Sequence, residues 1–363
     1  MRKPCLFRKM LCSIFVCTLL GATLGDRSAE AQQAGGPDKA KIEAARAFYK
    51  GKSLEFVVPF GPGGSYDAKA RMMAPFLEKY LPGAKILVKN VPGAGSMVGT
   101  NQLYVAKPNG LTFAILTGVG MVANQVGDSP VVKYDAMKFT YLGRVVAERR
   151  VVTASLGSRV KDLDSMLKAT VPVKQALTGP GAGAYVISQL VLKALGFPRE
   201  EVLGYQSSAE AEMSLIRGET DIHFTSEDAA MTLIERKEVR PILQLAPKNI
   251  EGLTNIPNLL TKDVDKLKLS EKQLKSIRVA GDMMALGYIV AAPPRVSAER
   301  AFILEEAVQK TLHDPNFVAL CKKSGGARDV DPLTGKEVFG IVNRILNVST
   351  ELKAEMQALM KAK

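Results

Sequence analysis

The stretch VVPFGPGGSYDAKARMM, residues 57–73, runs from an apolar, strand-like segment through three glycines and two prolines into a helical pattern. Its reading decides the fold. A glycine-rich turn between a strand and a helix is suited to anions, because the first N–H groups of a helix lack internal partners and the helix dipole favours negative charge there. Upstream, Leu54 to Val58 reads as a buried strand. Downstream, residues 66–80 place Ala68, Met72, Met73, Phe76, Leu77 and Tyr80 on one helical face, with Pro75 expected to kink rather than end the helix.

Lys85 to Lys89 forms a second strand pattern, and a second glycine loop, NVPGAGSMVG at 90–99, leads into a helix ending near Ala106. The turn KPNG then delivers the strand LTFAIL. The order is βαβαβ, which predicts a parallel sheet with both glycine loops at the carboxyl ends of its strands, facing one crevice. Thr117, directly after LTFAIL, joins the candidate site on that edge.

Further along, VKQALTGPGAGAYVISQLVLKALG repeats the plan of strand, glycine turn and helix. It is followed by a strand EVLGY, a helix from Glu210 to Arg217 and a strand TDIHFT. Asn249 to Arg278 is lysine-rich and weakly patterned, ALGYIVAAPP restores a strand, and the tail from Ala298 reads as helical. Two α/β lobes are expected, with the tail packed back on the first.

Compartment narrows the function. Arg2, Lys3, Arg8 and Lys9 precede the apolar run LCSIFVCTLLGATLG, and Ala29-Glu30-Ala31 supplies a small-x-small cleavage site. The reading is a secretory signal over 1–31, cleaved after Ala31, with a periplasmic product. Three of the four cysteines, Cys5, Cys12 and Cys17, fall inside that signal, which leaves Cys321 as a buried small hydrophobe in a helix. Of 49 basic and 36 acidic residues, five and two lie in the signal, so a surplus of +10 remains. Without a basic-aromatic motif, that surplus is a solvated surface rather than a nucleic-acid footprint.

Nucleotide chemistry fails on spacing. GPGG is followed by Ser65-Tyr66-Asp67 where a phosphate loop needs GK[ST], Tyr66 stands where GxGxxG needs its third glycine, and Gly93, Gly95 and Gly99 are spaced one residue too long. His223 reads as a packed strand residue and His313 as a helix-end residue. With no nucleophile elbow and no cluster at metal spacing, no catalytic residue, metal or cofactor is expected.

The run from Phe56 to Phe113 resembles the opening lobe of the periplasmic solute receptors of tripartite tricarboxylate transporters, the Bug family. Tyr134-Asp135, the TGPGAGA loop and GYQSSAEAEMSLIRGETDIHF extend the likeness over most of the mature chain. The resemblance implies an α/β, two-lobed periplasmic binding protein of type II, a Venus flytrap with its cleft between lobes. The first lobe would be discontinuous, 45–151 plus 251–363, and the second 152–250. The implied role is capture of a small organic acid, without chemistry on it, for the membrane permease subunits of a tripartite transporter. A monomer is expected. A sensor partner of a signalling protein and a carboxylate-dependent hydrolase are the alternatives.

Carried over by the resemblance, a ligand carboxylate would sit between Gly63, Gly64, Ser65 and Asp67 of the first loop and Ala94, Gly95 and Ser96 of the second. Asp67 is expected to accept backbone N–H bonds and order its loop, direct ligand contact being the alternative, and Asn90 to brace the second loop. Tyr66 either lines the pocket or anchors the helix. On the second lobe Thr178, Gly179, Gly183 and Ala184 occupy the matching loop, and Thr225 and Ser226 follow the strand IHF. Departures from the family, namely Ser207 and Ser208 in place of glycines, no tryptophan, and an enlarged Asn249 to Arg278, bear on ligand identity more than on fold.

Overall fold

The computed structural model describes residues 39–179, 182–324, 330–347 and 350–361. The expected signal with its three cysteines, and Pro180 and Gly181 of the TGPGAGA loop, lie outside them. Helix α1 (Lys39–Phe48) leads into strand β1 (Ser53–Val58), α2 (Ser65–Tyr80), β2 (Lys85–Asn90), a short 3-10 turn at Ala94–Ser96, α3 (Met97–Tyr104) and β3 (Thr112–Thr117). The three strands are parallel in the order β2-β1-β3, with Val58 opposite Asn90 and Val57 opposite Ala114. Both glycine loops therefore leave the sheet at the same edge. The helix α2 runs unbroken through Pro75 and buries Ala70, Met73 and Leu77 against β1. Beneath it Phe56 stacks on Phe113 at 4.5 Å. Each such ring removed from water contributes about 1.5–3 kcal/mol.

Helix α4 (Gly118–Val126) follows β3, and β4 (Thr140–Arg144) returns to the first sheet. Residues 145–149 then cross to a second sheet made of β5 (Arg150–Ser155), β6 (Val173–Ala176), β7 (Arg199–Val202), β8 (Ile222–Ser226) and β9 (Val239–Leu245). Its helices are α5 (Leu163–Leu167), α6 (Gly183–Leu195), α7 (Ser208–Ile216) and α8 (Glu227–Glu235). The strand order is β7-β6-β8-β5-β9, with β6 parallel to β7 and β8 and with β5 antiparallel to β8 and β9. The chain returns through α9 (Glu271–Met284) to β10 (Tyr288–Ala292), which inserts antiparallel between β3 and β4. Helices α10 (Ala298–Leu312), α11 (Pro315–Ser324), α12 (Gly335–Leu346) and α13 (Thr350–Lys361) complete the chain.

The tail is tied to the first sheet. Asp314 accepts from Lys79 Nζ at 2.6 Å and Tyr80 Oη at 2.8 Å, and Arg46 of α1 donates to Glu306 of α10 at 2.8 Å. Cys321 is fully buried on α11. Among the described residues, no helix is long and apolar enough to cross a membrane.

Two expectations need correction. The segment Asn249 to Arg278 is not unpatterned throughout: a capping box of Ser270 with Gln273 starts α9, which buries Ile277, Ala280, Met283 and Met284 and packs on α6. Lysines on its exposed face hide the periodicity. The strand expected at EVLGY ends at Val202, and Leu203 to Tyr205 leave the sheet, with Gly204 at φ 109°.

Candidate functional site

The first glycine loop is held by the helix that succeeds it. Asp67, buried in the first turn of α2, accepts from Gly63 N at 3.0 Å and Arg71 Nε at 2.9 Å through one oxygen and from Asn90 Nδ2 at 2.9 Å through the other. Asn90 Nδ2 also donates to Phe60 O at 2.9 Å, so the two residues brace both loops. Burial alone would raise the Asp67 pKa, but the hydrogen bonds from Arg71, Gly63 and Asn90 outweigh it and hold the carboxyl below its ordinary value.

The exposed side of this loop meets the second lobe. A Cβ on Gly64 would stand 3.1 Å from Ser208 Oγ, one on Gly61 3.5 Å from Gln206 O, and one on Gly63 3.8 Å from Ala209 Cβ. Ser65 accepts from Tyr288 Oη at 3.1 Å. The Tyr66 ring packs between Phe60 at 4.8 Å and Tyr288 at 4.3 Å, which makes it an anchor of α2.

The second loop has a different backbone. Gly93, Ala94, Gly95 and Ser96 have φ values of 131°, 45°, 61° and 90°, four successive left-handed residues of which two are not glycine. Ser96 N and Val98 N both donate to Gly93 O, at 3.1 and 3.3 Å, which tightens the run. Gly99 lets this loop reach the first one: a Cβ there would stand 2.8 Å from Pro59 Cβ. With the Ser96, Met97 and Val98 amides turned onto Gly93 O and Ala94 O, the amides of this loop that an anion could meet are those of Ala94 and Gly95. The Ser96 side chain is buried, and its Oγ has no hydrogen-bond partner among the described residues.

Across the gap stands Gly179, whose φ is 148° and whose Cβ position lies 3.9 Å from Gly95 N. A cavity of about 340 Å³ opens between the lobes here. The first lobe contributes Phe60 and residues 93–96, and the second contributes Thr178, Gly179 and residues 203–206.

The structure thus brings Ala94, Gly95, Ser96, Thr178 and Gly179 to one cavity. Gly63, Gly64, Ser65, Tyr66 and Asp67 do not line it. Thr117 accepts from Gly120 N at 3.2 Å as the cap of α4, and Gly183, at the start of α6, leaves only 2.8 Å between a Cβ and Thr117 Oγ1. Ala184 is buried within α6. Thr225 shares a 2.7 Å bond with Thr153 inside the second sheet. The lining residues Phe60, Leu203, Gly204, Tyr205 and Gln206 are not in the sequence-derived set. The misplaced end of EVLGY concealed most of them.

Beside the cavity, where the lobes meet, lies a buried polar group. Lys69 of α2 pairs with Asp228 of α8, with its Nζ 4.4 Å from the centre of the Tyr288 ring. Arg150 pairs with Glu148 and donates to Phe224 O at 3.0 Å. Tyr66 Oη, Glu148 Oε2, Glu212 Oε1, His223 Nε2 and Ser226 Oγ are buried and have no hydrogen-bond partner among the described residues. His223 Nδ1 lies 2.9 Å from Ala176 O, and burial pushes this imidazole down to about 4. Burial pushes the Glu212 carboxyl up to about 8. Burial favours the neutral form of both.

A wider hollow of about 520 Å³ surrounds Ser158, Lys174 and Asp221 at the amino ends of β6 and β8. Asp221 is already committed there, accepting from Ser158 Oγ at 2.7 Å and Lys174 N at 2.9 Å. Ligands of open α/β sheets bind at the other edge.

No family model matches the chain. It is 25% identical over 311 residues, 84% of this chain and 80% of the relative, to a UPF0065 protein of Agrobacterium vitis. It is 22% identical over 216 residues to Protein BugT of Bordetella pertussis, covering 58% of this chain and 66% of that protein. A UPF0065 protein of Pseudomonas sp. (strain P51) matches at 24% over 197 residues, covering 53% of this chain. The chain spans 58% of that relative's length. Among solved structures, the periplasmic binding protein BugD superposes with a TM-score of 0.70 at 20% identity, over 86% of this chain and 98% of BugD. MatC from Rhodopseudomonas palustris with bound malate gives 0.67 at 18%, over 85% and 99%. The two-lobed α/β fold and the likeness to Bug-type receptors are as the sequence implies.

Proposed function

On the premise of that kinship with Bug-type receptors, we propose that the chain is a periplasmic solute-binding protein. Its two lobes close on a small organic acid and present it to a tripartite tricarboxylate-type membrane transporter. The observation that carries this reading is the cavity between residues 93–96 and Gly179, lined on one side by the positive-φ backbone of the second loop. Backbone N–H groups hold a carboxylate without a fixed counter-charge, so capture and release stay in balance. The first loop serves as the brace that keeps the second in place.

Capture without chemistry is favoured by the lining itself, in which the described residues include no histidine, cysteine or carboxylate. His223 is neutral and bonded to the backbone, and His313 caps the end of α10. Export is supported by the charged start, the apolar run and Ala29-Glu30-Ala31, and sequencing the mature amino terminus tests cleavage before Gln32.

The deciding experiment is mass spectrometry of the small molecules released on denaturing natively purified protein, followed by melting curves with the acids found. A ligand at 100 times its dissociation constant adds about 2.7 kcal/mol to the native state. A broad panel of organic acids that leaves the melting curve unmoved would sink the reading.

A further inference from the structure

The cavity wall beyond the second loop bears on which acid is taken, an inference that rests on the carboxylate reading above. Phe60 lines it from the first lobe, and Leu203 and Tyr205 from the second, with Thr178, Gln206 and the Tyr205 hydroxyl as its polar side chains there. Among the described lining residues none carries a charge. The nearest buried cations are committed elsewhere: Lys69 to Asp228, and Arg150 to Glu148 and Phe224 O.

A second carboxylate on the ligand would meet only side-chain donors at this end, without the run of loop N–H groups that receives the first, and would lie against apolar surface. An apolar body meets the opposite situation. The faces of Phe60 and Tyr205 and the Leu203 side chain offer the surface that a ring or compact alkyl group buries well. A void of about 150 Å³ is enough for benzene, so about 340 Å³ accommodates a ring, a carboxylate and a few waters. We infer that the ligand is a monocarboxylate with an aromatic or compact apolar body, its carboxylate at the Ala94–Gly95 backbone and its body against Phe60, Leu203 and Tyr205.

The test is calorimetric titration of the full mature protein, freed of any co-purified ligand, with benzoate, cyclohexanecarboxylate, succinate, adipate, citrate and benzamide. One of the first two should bind at least about tenfold more tightly than each of the di- and tricarboxylates, and benzamide should not bind. If succinate, adipate or citrate binds more tightly than both monocarboxylates, the inference falls while the carboxylate site stands. If benzamide matches benzoate, the carboxylate site itself falls. If no acid binds, both fall. Tyr205→Ala should weaken the preferred acid about tenfold and leave the melting temperature of the empty protein unchanged, because its side chain sits at the cavity rim. Unaltered affinity in a folded Tyr205→Ala protein would remove the apolar wall from the argument.

Discussion

PFGPGGS at 59–65 and VPGAGS at 91–96 look like two copies of one device, and the molecule uses them differently. The first helical turn after each loop makes the difference. The first loop is succeeded by Tyr66-Asp67, and the Asp67 carboxylate turns back to take the Gly63 N–H, so the helix occupies its own anion site. The second is succeeded by Met97-Val98, with no acid in the first turn of α3, and its four left-handed residues face the cavity. One loop is a brace; the other, on the function proposed above, is the receptor. Glycine content is common to both; the presence or absence of an acid at the helix start separates them.

The largest effect is expected where the bracing helix is fastened. Lys69→Met removes the cation from the buried Lys69–Asp228 pair, and breaking a buried pair in this way costs about 3–5 kcal/mol. Urea unfolding should show that loss, and the double change Lys69→Met with Asp228→Leu should recover most of it. A loss within experimental error would mean that α2 is not fastened through this pair.

The next test sets the loops directly against each other. Gly95→Val places a branched side chain at φ 61° opposite Gly179, and should cost roughly 1–2 kcal/mol of stability through the left-handed backbone. Ligand affinity should fall further, by on the order of a hundredfold, or about 3 kcal/mol. Gly64→Ala, at φ −80° in the first loop, should change affinity by less than about 0.5 kcal/mol once the Ser208 hydroxyl has moved aside. Circular dichroism and titration on both variants read the difference. Equal losses of affinity would erase the distinction between brace and receptor.

The smallest effect is a dependence on pH. The folded pKa of Asp67 lies below its unfolded value, near 3.9, so its contribution is complete above that value and is lost as pH falls through the folded pKa. Hydrogen exchange at Gly63 should therefore accelerate below about pH 4 while exchange at the second loop does not. Asp67→Asn should make the Gly63 amide fast at every pH, at a cost of about 1–2 kcal/mol. If both loops loosen together on acidification, the carboxylate is not what sets them apart.

Residues 53–117 were legible because each strand, loop and helix there carries its own local signal, down to the glycines and Asp67. The strands β4, β5 and β9 are not placed by the sequence reading. Their burial comes from pairing with distant partners: β4 with β10, and β5 with β8 and β9. Arg149 and Arg150, at the start of β5, even disguise it as surface. The site divides similarly. Residues 94–96 and 178–179 announce themselves by glycine, whereas Leu203 to Gln206 enter the cavity because β7 stops early. Glu148 and Arg150 stand two residues apart, but Glu212 and His223 come from separate elements, so no sequence spacing links them to that pair.

The insertion of β10 between β3 and β4 orders events in time as well as space. All five strands of the second sheet lie between residues 150 and 245, so that sheet can close as soon as this run has emerged during synthesis. The first sheet must wait. Its β4 edge has no neighbour until Tyr288–Ala292 arrives, more than a third of the chain later, and contacts of such long sequence separation are slow to form. The half-made chain therefore carries an unfinished first lobe, and the cavity between the lobes is complete only once β10 is in place.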